Sequence, residues 1–163
     1  MNMQFDRHYA IARRIATIAA VSVSNDGGMS IGEVRLRPDD DEGGSVIFAD
    51  WGFGTPESIR EQAVALLAGV IAERTFSLGV DFSMGLREHE QVFKLVSDYV
   101  DAAYGPVASP QERSDLIDEE LLYCYADADD AIALNGREIR IVTKALLQRR
   151  KLGQGDMVCL VRG

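Results

Sequence analysis

The sequence is poor in the residues that usually build metal and redox sites, with two histidines and two cysteines. Cys124 and Cys159 have no CxxC partner. We therefore expect two reduced, buried thiols in a cytoplasmic protein rather than a disulfide framework.

Positive charge is also scarce, since 17 Lys and Arg face 26 Asp and Glu and leave a net charge of −9. This is the wrong sign for binding a phosphate backbone, so we expect no nucleic-acid partner. No apolar run approaches the roughly 20 residues that a bilayer-spanning helix needs. The N-terminal segment has no apolar core followed by a cleavage site, so we expect no signal peptide and no membrane partner.

Several catalytic and binding motifs are missing. We find no phosphate-binding loop, no dinucleotide-binding glycine motif and no G-x-S-x-G nucleophile elbow. Asp127, Asp129 and Asp130 begin like a calcium-binding loop, but Ala131 and Ile132 occupy positions five and six. Position six requires glycine for its sharp turn, so we expect no calcium site there.

The chain has 163 residues, 47% of them hydrophobic and 26% charged, which is the balance of one globular domain over residues 1–163. Apolar spacing predicts a mainly helical fold. We expect a first helix over residues 1–20, with Arg7, Arg13 and Arg14 on its polar side. A β element should follow over residues 21–50, beginning with the alternating run at 20–23, as a hairpin or a three-stranded sheet.

The helical core is predicted over residues 55–163. Its first helix begins with Thr55 as cap and Pro56 in the first turn, and its apolar residues surround most of the cylinder. A second helix, capped by Asp81 or Ser83, ends at the sequence Tyr-Gly-Pro over 104–106. A third helix runs from 114 to 134. A fourth ends near 149–151 and is closed by 152–153. The last piece, over 156–161, is helical or extended.

The order of several motifs resembles the zinc metallopeptidase domain of FtsH-type AAA proteases and its stand-alone relatives. The matching segments are Ala-Gly-Val-Ile-Ala-Glu at 68–73, Gly-Leu-Arg-Glu-His at 85–89 and Tyr-Gly at 104–105. In that family a helix carrying HExxH and a β-hairpin precede these segments. The resemblance covers nearly the whole chain and implies an FtsH protease-domain-like helical bundle with a small antiparallel β element after the first helix.

The catalytic residues of the family are replaced. With the first histidine of HExxH on His8, the general-base glutamate falls on Tyr9 and the second histidine on Ala12. The third ligand, an aspartate in the family, falls on His89. Catalytic zinc needs three protein ligands and a base for the bound water, and a tyrosine with a pKa near ~10 is a poor base at neutral pH. The resemblance therefore implies no catalytic residue, with Tyr9 in the general-base position.

We accordingly expect a catalytically inactive, cytoplasmic, metallopeptidase-like protein that acts as a peptide- or protein-binding or regulatory module. A homo-oligomer is a further expectation, because domains of this family assemble into rings. We expect no cofactor, unless zinc binds at His8 and His89.

Two alternatives stay open beside this reading. One is a metal-dependent hydrolase with a rearranged His8/His89 site, completed by a carboxylate such as Glu88 or Asp6. The other is a structural partner whose cleft has no function. Glu73 is expected to hold a helix end or an arginine rather than to take part in chemistry.

Overall fold

The computed structural model describes residues 3–26, 31–37, 43–48, 55–76, 86–106 and 109–163, and it describes their side chains except at 3–6, 26, 74–76 and 86–89. The elements in these ranges are α1 (Met3–Asp26), β1 (Ile31–Leu36), β2 (Gly44–Phe48), α2 (Pro56–Phe76), α3 (Leu86–Tyr104), α4 (Pro110–Leu134), α5 (Gly136–Arg149), β3 (Lys151–Gly153) and α6 (Gln154–Arg162). The predicted fold class, mainly helical with a small antiparallel sheet after the first helix, is confirmed. None of the helices in these ranges is long and apolar enough to cross a bilayer.

Helix α1 is the centre of the fold. Every residue from Ala10 to Val23 is buried except the half-buried Arg13, and α2, α5, α6 and the sheet all pack against it. The prediction that this helix ends at residue 20 and a strand begins was wrong, because α1 continues to Asp26. A helix surrounded on all sides is apolar all round, so the local alternation at 20–23 does not indicate a strand.

The sheet is three-stranded and antiparallel, in the order β2-β1-β3. Val34 at its centre faces Val46 on one side and Leu152 on the other. An irregularity in pairing between Ile31 and Glu33 shifts the alternation of β1, so that Ile31 and Val34 are both fully buried. The sheet therefore joins the hairpin after α1 to the chain after α5.

The third strand corrects the expectation that 152–153 merely closes the preceding helix. Arg150 ends α5 in the left-handed region with φ 63°, and its N–H donates to the Leu146 carbonyl at 2.7 Å. The chain then turns back along β1, where Leu36 N–H donates to the Arg150 carbonyl at 2.7 Å. The last piece is helical and forms α6.

Helix α2 begins as predicted, with Thr55 Oγ1 accepting from Ser58 N–H at 3.2 Å and Pro56 in the first turn. Its burial on most sides is also confirmed. The candidate caps Asp81 and Ser83 of the following helix lie outside the described residues.

Helix α4 begins four residues before the predicted start, because Ser109 Oγ caps Glu112 N–H at 3.2 Å and Pro110 occupies the first turn. It ends at Leu134, as predicted. The three aspartates at 127–130 lie inside this unbroken helix, so they do not form a calcium-binding loop.

Gly69 lets α1 and α2 approach closely. A Cβ at this position would lie 2.6 Å from Ile18 Cγ1, 2.8 Å from Ile18 Cδ1 and 3.0 Å from the Arg14 carbonyl oxygen. Ile18 is fully buried, so it cannot move into solvent to make room. The glycine of the 68–73 segment is therefore required by the packing of the two helices.

We predict that Gly69→Ala lowers the free energy of unfolding by about 1–3 kcal/mol, as overpacking of a filled core does, measured by urea denaturation. Gly155→Ala in α6 is the matched control, because no atom lies within 4 Å of the added Cβ and alanine favours a helix. A neutral or stabilising effect of Gly69→Ala would contradict the close crossing.

Candidate functional site

His8, Tyr9 and Ala12 lie in the N-terminal half of α1, where the resemblance places the family's metal-binding motif. His8 and Tyr9 are half-buried. Ala12, one turn after His8, is fully buried among core residues. The position expected for a second histidine is thus filled by a methyl group that belongs to the core.

The proposed partner of His8 is on a different helix. His89 lies in the first turn of α3, and its side chain, like those of Glu88 and Asp6, lies outside the described residues. The pairing of His8 with His89 therefore stays a prediction. Among the described side chains, no group of three or more His, Cys, Asp or Glu could hold a metal ion.

Glu73 forms a buried ion pair with Arg14. Arg14 Nη1 lies 3.3 Å from Glu73 Oε2, and the two side chains are 4% and 3% exposed. The expectation that Glu73 holds an arginine is confirmed. The placement of Arg14 on a polar side of α1 was wrong, because a carboxylate 59 positions away along the chain accompanies it into the core.

A second charged cluster joins α2, α3 and α4. Arg60 Nη2 lies 2.7 Å from Asp127 Oδ2, and its Nε lies 3.6 Å from Glu120 Oε2. Tyr104 OH donates to Glu120 Oε1 at 3.3 Å. Burial alone would lower the pKa of Arg60, but the hydrogen bond to Asp127 and the neighbouring negative charges raise it on balance. Arg60 is thus held as a cation between two carboxylates.

Cys124 is buried beside this cluster. Burial raises the pKa of its thiol to about 11, since the attraction of Arg60 only partly offsets the loss of solvent and the repulsion of Glu120 and Asp127. Cys159 is exposed. The expectation of two buried thiols is therefore correct for Cys124 and wrong for Cys159.

The charged cluster borders an open cleft of about 560 Å³. The last turns of α1 and α4 and the first turns of α2 form its walls, and the lining residues are Ser24, Asn25, Arg60, Glu61, Val64, Asp127, Asp130, Ala131, Leu134 and Asn135. The lining thus combines charged, amide and hydroxyl groups with apolar side chains.

Side-chain hydrogen bonds join two of the segments that line the cleft. Ser24 Oγ donates to Asn135 Oδ1, and Asn135 Nδ2 donates to the Ala131 carbonyl at 2.8 Å. These hydrogen bonds hold the last turn of α1 against the turn between α4 and α5. This part of the cleft is therefore already formed without a ligand.

Sequence reasoning did not find this cleft. Its walls come from three segments that are far apart in the chain, and none carries a spacing motif. The sequence has one signal near the cleft, the turn sequence Asn135-Gly136 after the acidic end of α4. By itself this turn predicts only a helix break. No protein-family model matches the chain, and no curated protein matches it.

We predict that Glu73→Ala lowers the free energy of unfolding by about 3–5 kcal/mol, because it leaves the Arg14 charge buried without this carboxylate. The double variant Arg14→Met/Glu73→Leu should lose less of the free energy of unfolding than Glu73→Ala, since neither charge remains in the core. Urea denaturation measures both.

Asp98→Ala is the matched control for this pair. It removes an ion pair with the same 3.3 Å separation, Lys94 Nζ to Asp98 Oδ2, whose side chains are 69% and 40% exposed. Its effect should stay near ~0.5 kcal/mol. Equal losses in Glu73→Ala and Asp98→Ala would contradict the importance of burial at Arg14–Glu73.

We also predict selective thiol labelling. At about pH 8 a maleimide or aromatic disulfide should modify Cys159 and leave Cys124 unmodified, because a pKa of about 11 leaves roughly one thiol in a thousand ionised. Mass spectrometry of the native Cys159→Ser variant should show no label until urea unfolds it. Rapid labelling of native Cys159→Ser would contradict the buried position of Cys124.

Proposed function

We propose that this chain is an FtsH-type metallopeptidase-like protein without peptidase activity, which acts as a peptide- or protein-binding or regulatory module. The observation that carries the proposal is the preformed cleft between α1, α2 and α4, about 560 Å³ in volume. This volume lies within the range of small-ligand and side-chain pockets. Its mixed lining suits a peptide, which offers polar backbone groups and apolar side chains together.

The packing of α1 and α2 supports the resemblance behind this proposal. Gly69 and Glu73 of the 68–73 segment both serve the contact with α1, through close approach and through the buried ion pair. Ala12 supports the loss of the family's chemistry, because a fully buried methyl group stands at a ligand position. Under this proposal the scaffold residues of the family keep their role, while one of its ligand positions has become part of the core.

We also propose a cytoplasmic location. The two free cysteines support it, because thiols stay reduced in that compartment. We also propose a homo-oligomer, because domains of the family assemble into rings. Sedimentation of the purified chain measures the mass of the assembly.

The first test is a selection of peptides of about 12 residues from a random library against the whole protein. We expect enriched peptides whose binding falls in Ala131→Trp, which fills the cleft from its half-buried wall. Ile47→Ser, at an exposed residue on β2, is the control that should bind normally. An absence of enriched peptides, or equal binding by Ala131→Trp, would refute a binding function of this cleft.

The same preparation tests the hydrolase alternative. Metal analysis after purification, and cleavage of an unfolded protein in buffer with added zinc, should both give negative results for an inactive protein. Stoichiometric zinc that is lost in His8→Ala or His89→Ala, together with cleavage, would establish the rearranged site and contradict the proposed function.

A further inference from the structure

The charge of α4 indicates which chemical class of partner the cleft would bind. This 25-residue helix contains eight carboxylates and one basic residue, Arg113. It therefore has a net charge of −7, while the whole chain has −9. Within the part of the chain that the structure describes, Arg60 pairs with Glu120 and Asp127, whereas no ion pair neutralises Asp129 or Asp130.

Apolar side chains are exposed among these carboxylates. Leu134 is 82% exposed, Leu122 71% and Tyr123 53%. Tyr123, Asp127, Asp130 and Leu134 follow the i, i+4, i+7, i+11 spacing of one helix stripe. We call this stripe, together with Leu122 and the exposed Asp129 on the adjacent stripe, the outer face of α4. The stripe runs directly into the cleft, whose lining includes Asp127, Asp130 and Leu134.

Asp130 is the carboxylate of the cleft that a partner's cation could pair with. The charged residues of the lining are Arg60, Glu61, Asp127 and Asp130. Asp127 and Glu120 already hold Arg60, whereas Asp130 forms no ion pair among the described residues. A partner's Lys or Arg side chain can therefore form a charge-assisted hydrogen bond with Asp130.

We propose that the cleft and the outer face of α4 bind a basic amphipathic segment of a partner protein, with Lys or Arg side chains interspersed among apolar ones. This inference rests on the proposed binding function and names its partner class. A Lys or Arg side chain has the matching form, because its aliphatic stem can pack on Val64, Ala131 and Leu134 while its charged end lies near Asp130.

A second copy of this chain is a poorer occupant of the same face. It would bring its own α4, with a net charge of −7, against a helix of the same charge. Like charges placed together at an interface cost affinity. Charge complementarity therefore selects a basic partner over self-association through α4.

The test uses fluorescence anisotropy with three labelled peptides of about 18 residues, which is about five helical turns. One is an amphipathic Lys/Leu helix, the second has the same pattern with Glu in place of Lys, and the third has the Lys/Leu composition in scrambled order. We expect the Lys/Leu helix to bind, the Glu/Leu helix not to bind and the scrambled peptide to bind more weakly. Raising NaCl from about 50 to about 300 mM should weaken binding.

Variants locate the binding surface. Asp129→Asn/Asp130→Asn should weaken binding of the Lys/Leu helix about fivefold, and Leu134→Ser roughly tenfold. Glu90→Gln/Asp98→Asn removes the same number of charges from α3, at the exposed Glu90 and the half-buried Asp98, and is the charge-matched control. Its affinity is expected near the wild-type value. Circular dichroism should show unchanged helix content in all variants.

Three results would overturn the proposal: binding of the Glu/Leu helix as tight as that of the Lys/Leu helix, equal weakening by the α3 control, or full competition by spermine with equal affinity for the scrambled peptide. The last result would indicate a site for small cations. If the library selection yields peptides that bind at the cleft but are not basic, the binding function stands and this inference fails. If it yields none, both fail.

Discussion

Helices α1 and α2 cross at close range, and the other elements pack on these two helices: α5, α6 and the sheet on α1, and α3 and α4 on α2. Gly69 removes the side chain that would hold the helices apart, and one turn later Glu73 places its carboxylate on Arg14 inside the core. A buried ion pair contributes little net stability compared with apolar packing, but it tolerates few other arrangements of its partners. Gly69 and the ion pair thus lie at the same crossing of α1 and α2, and the sheet, α5 and α6 pack around the same central helix.

The cleft follows from that arrangement. With α1 and α2 fixed, α4 packs along α2 through the Arg60 cluster, and the Ser24–Asn135 hydrogen bond ties its end to α1. Arg60 satisfies two of the carboxylates of α4 and leaves the rest of that helix strongly negative. Exposed Leu122 and Leu134 on the same helix have no role in the core. The acidic charge and the exposed leucines of α4 are the two observations on which the proposed partner surface rests.

Much of the fold could be predicted from the sequence, because helical periodicity and capping residues act locally. Thr55, Pro56 and Gly105 marked helix boundaries correctly. The errors came where distant contacts decide. Burial by the elements around it carries α1 past residue 20. Strand β1 pairs with a three-residue strand too short for any pattern, and Glu73 accompanies Arg14 into the core. The cleft escaped prediction for the same reason, since it exists only where three distant helix ends meet.

The functional surface that we propose lies at the cleft and the outer face of α4 rather than around His8. Two-dimensional amide NMR spectra, recorded as the Lys/Leu helix is added to the whole protein, test it most directly. We expect the largest shifts in the amide signals of Ser24, Asn25, Arg60, Asp130 and Leu134. Shifts concentrated at His8, Tyr9 and the start of α3, with the α4 signals unchanged, would contradict it.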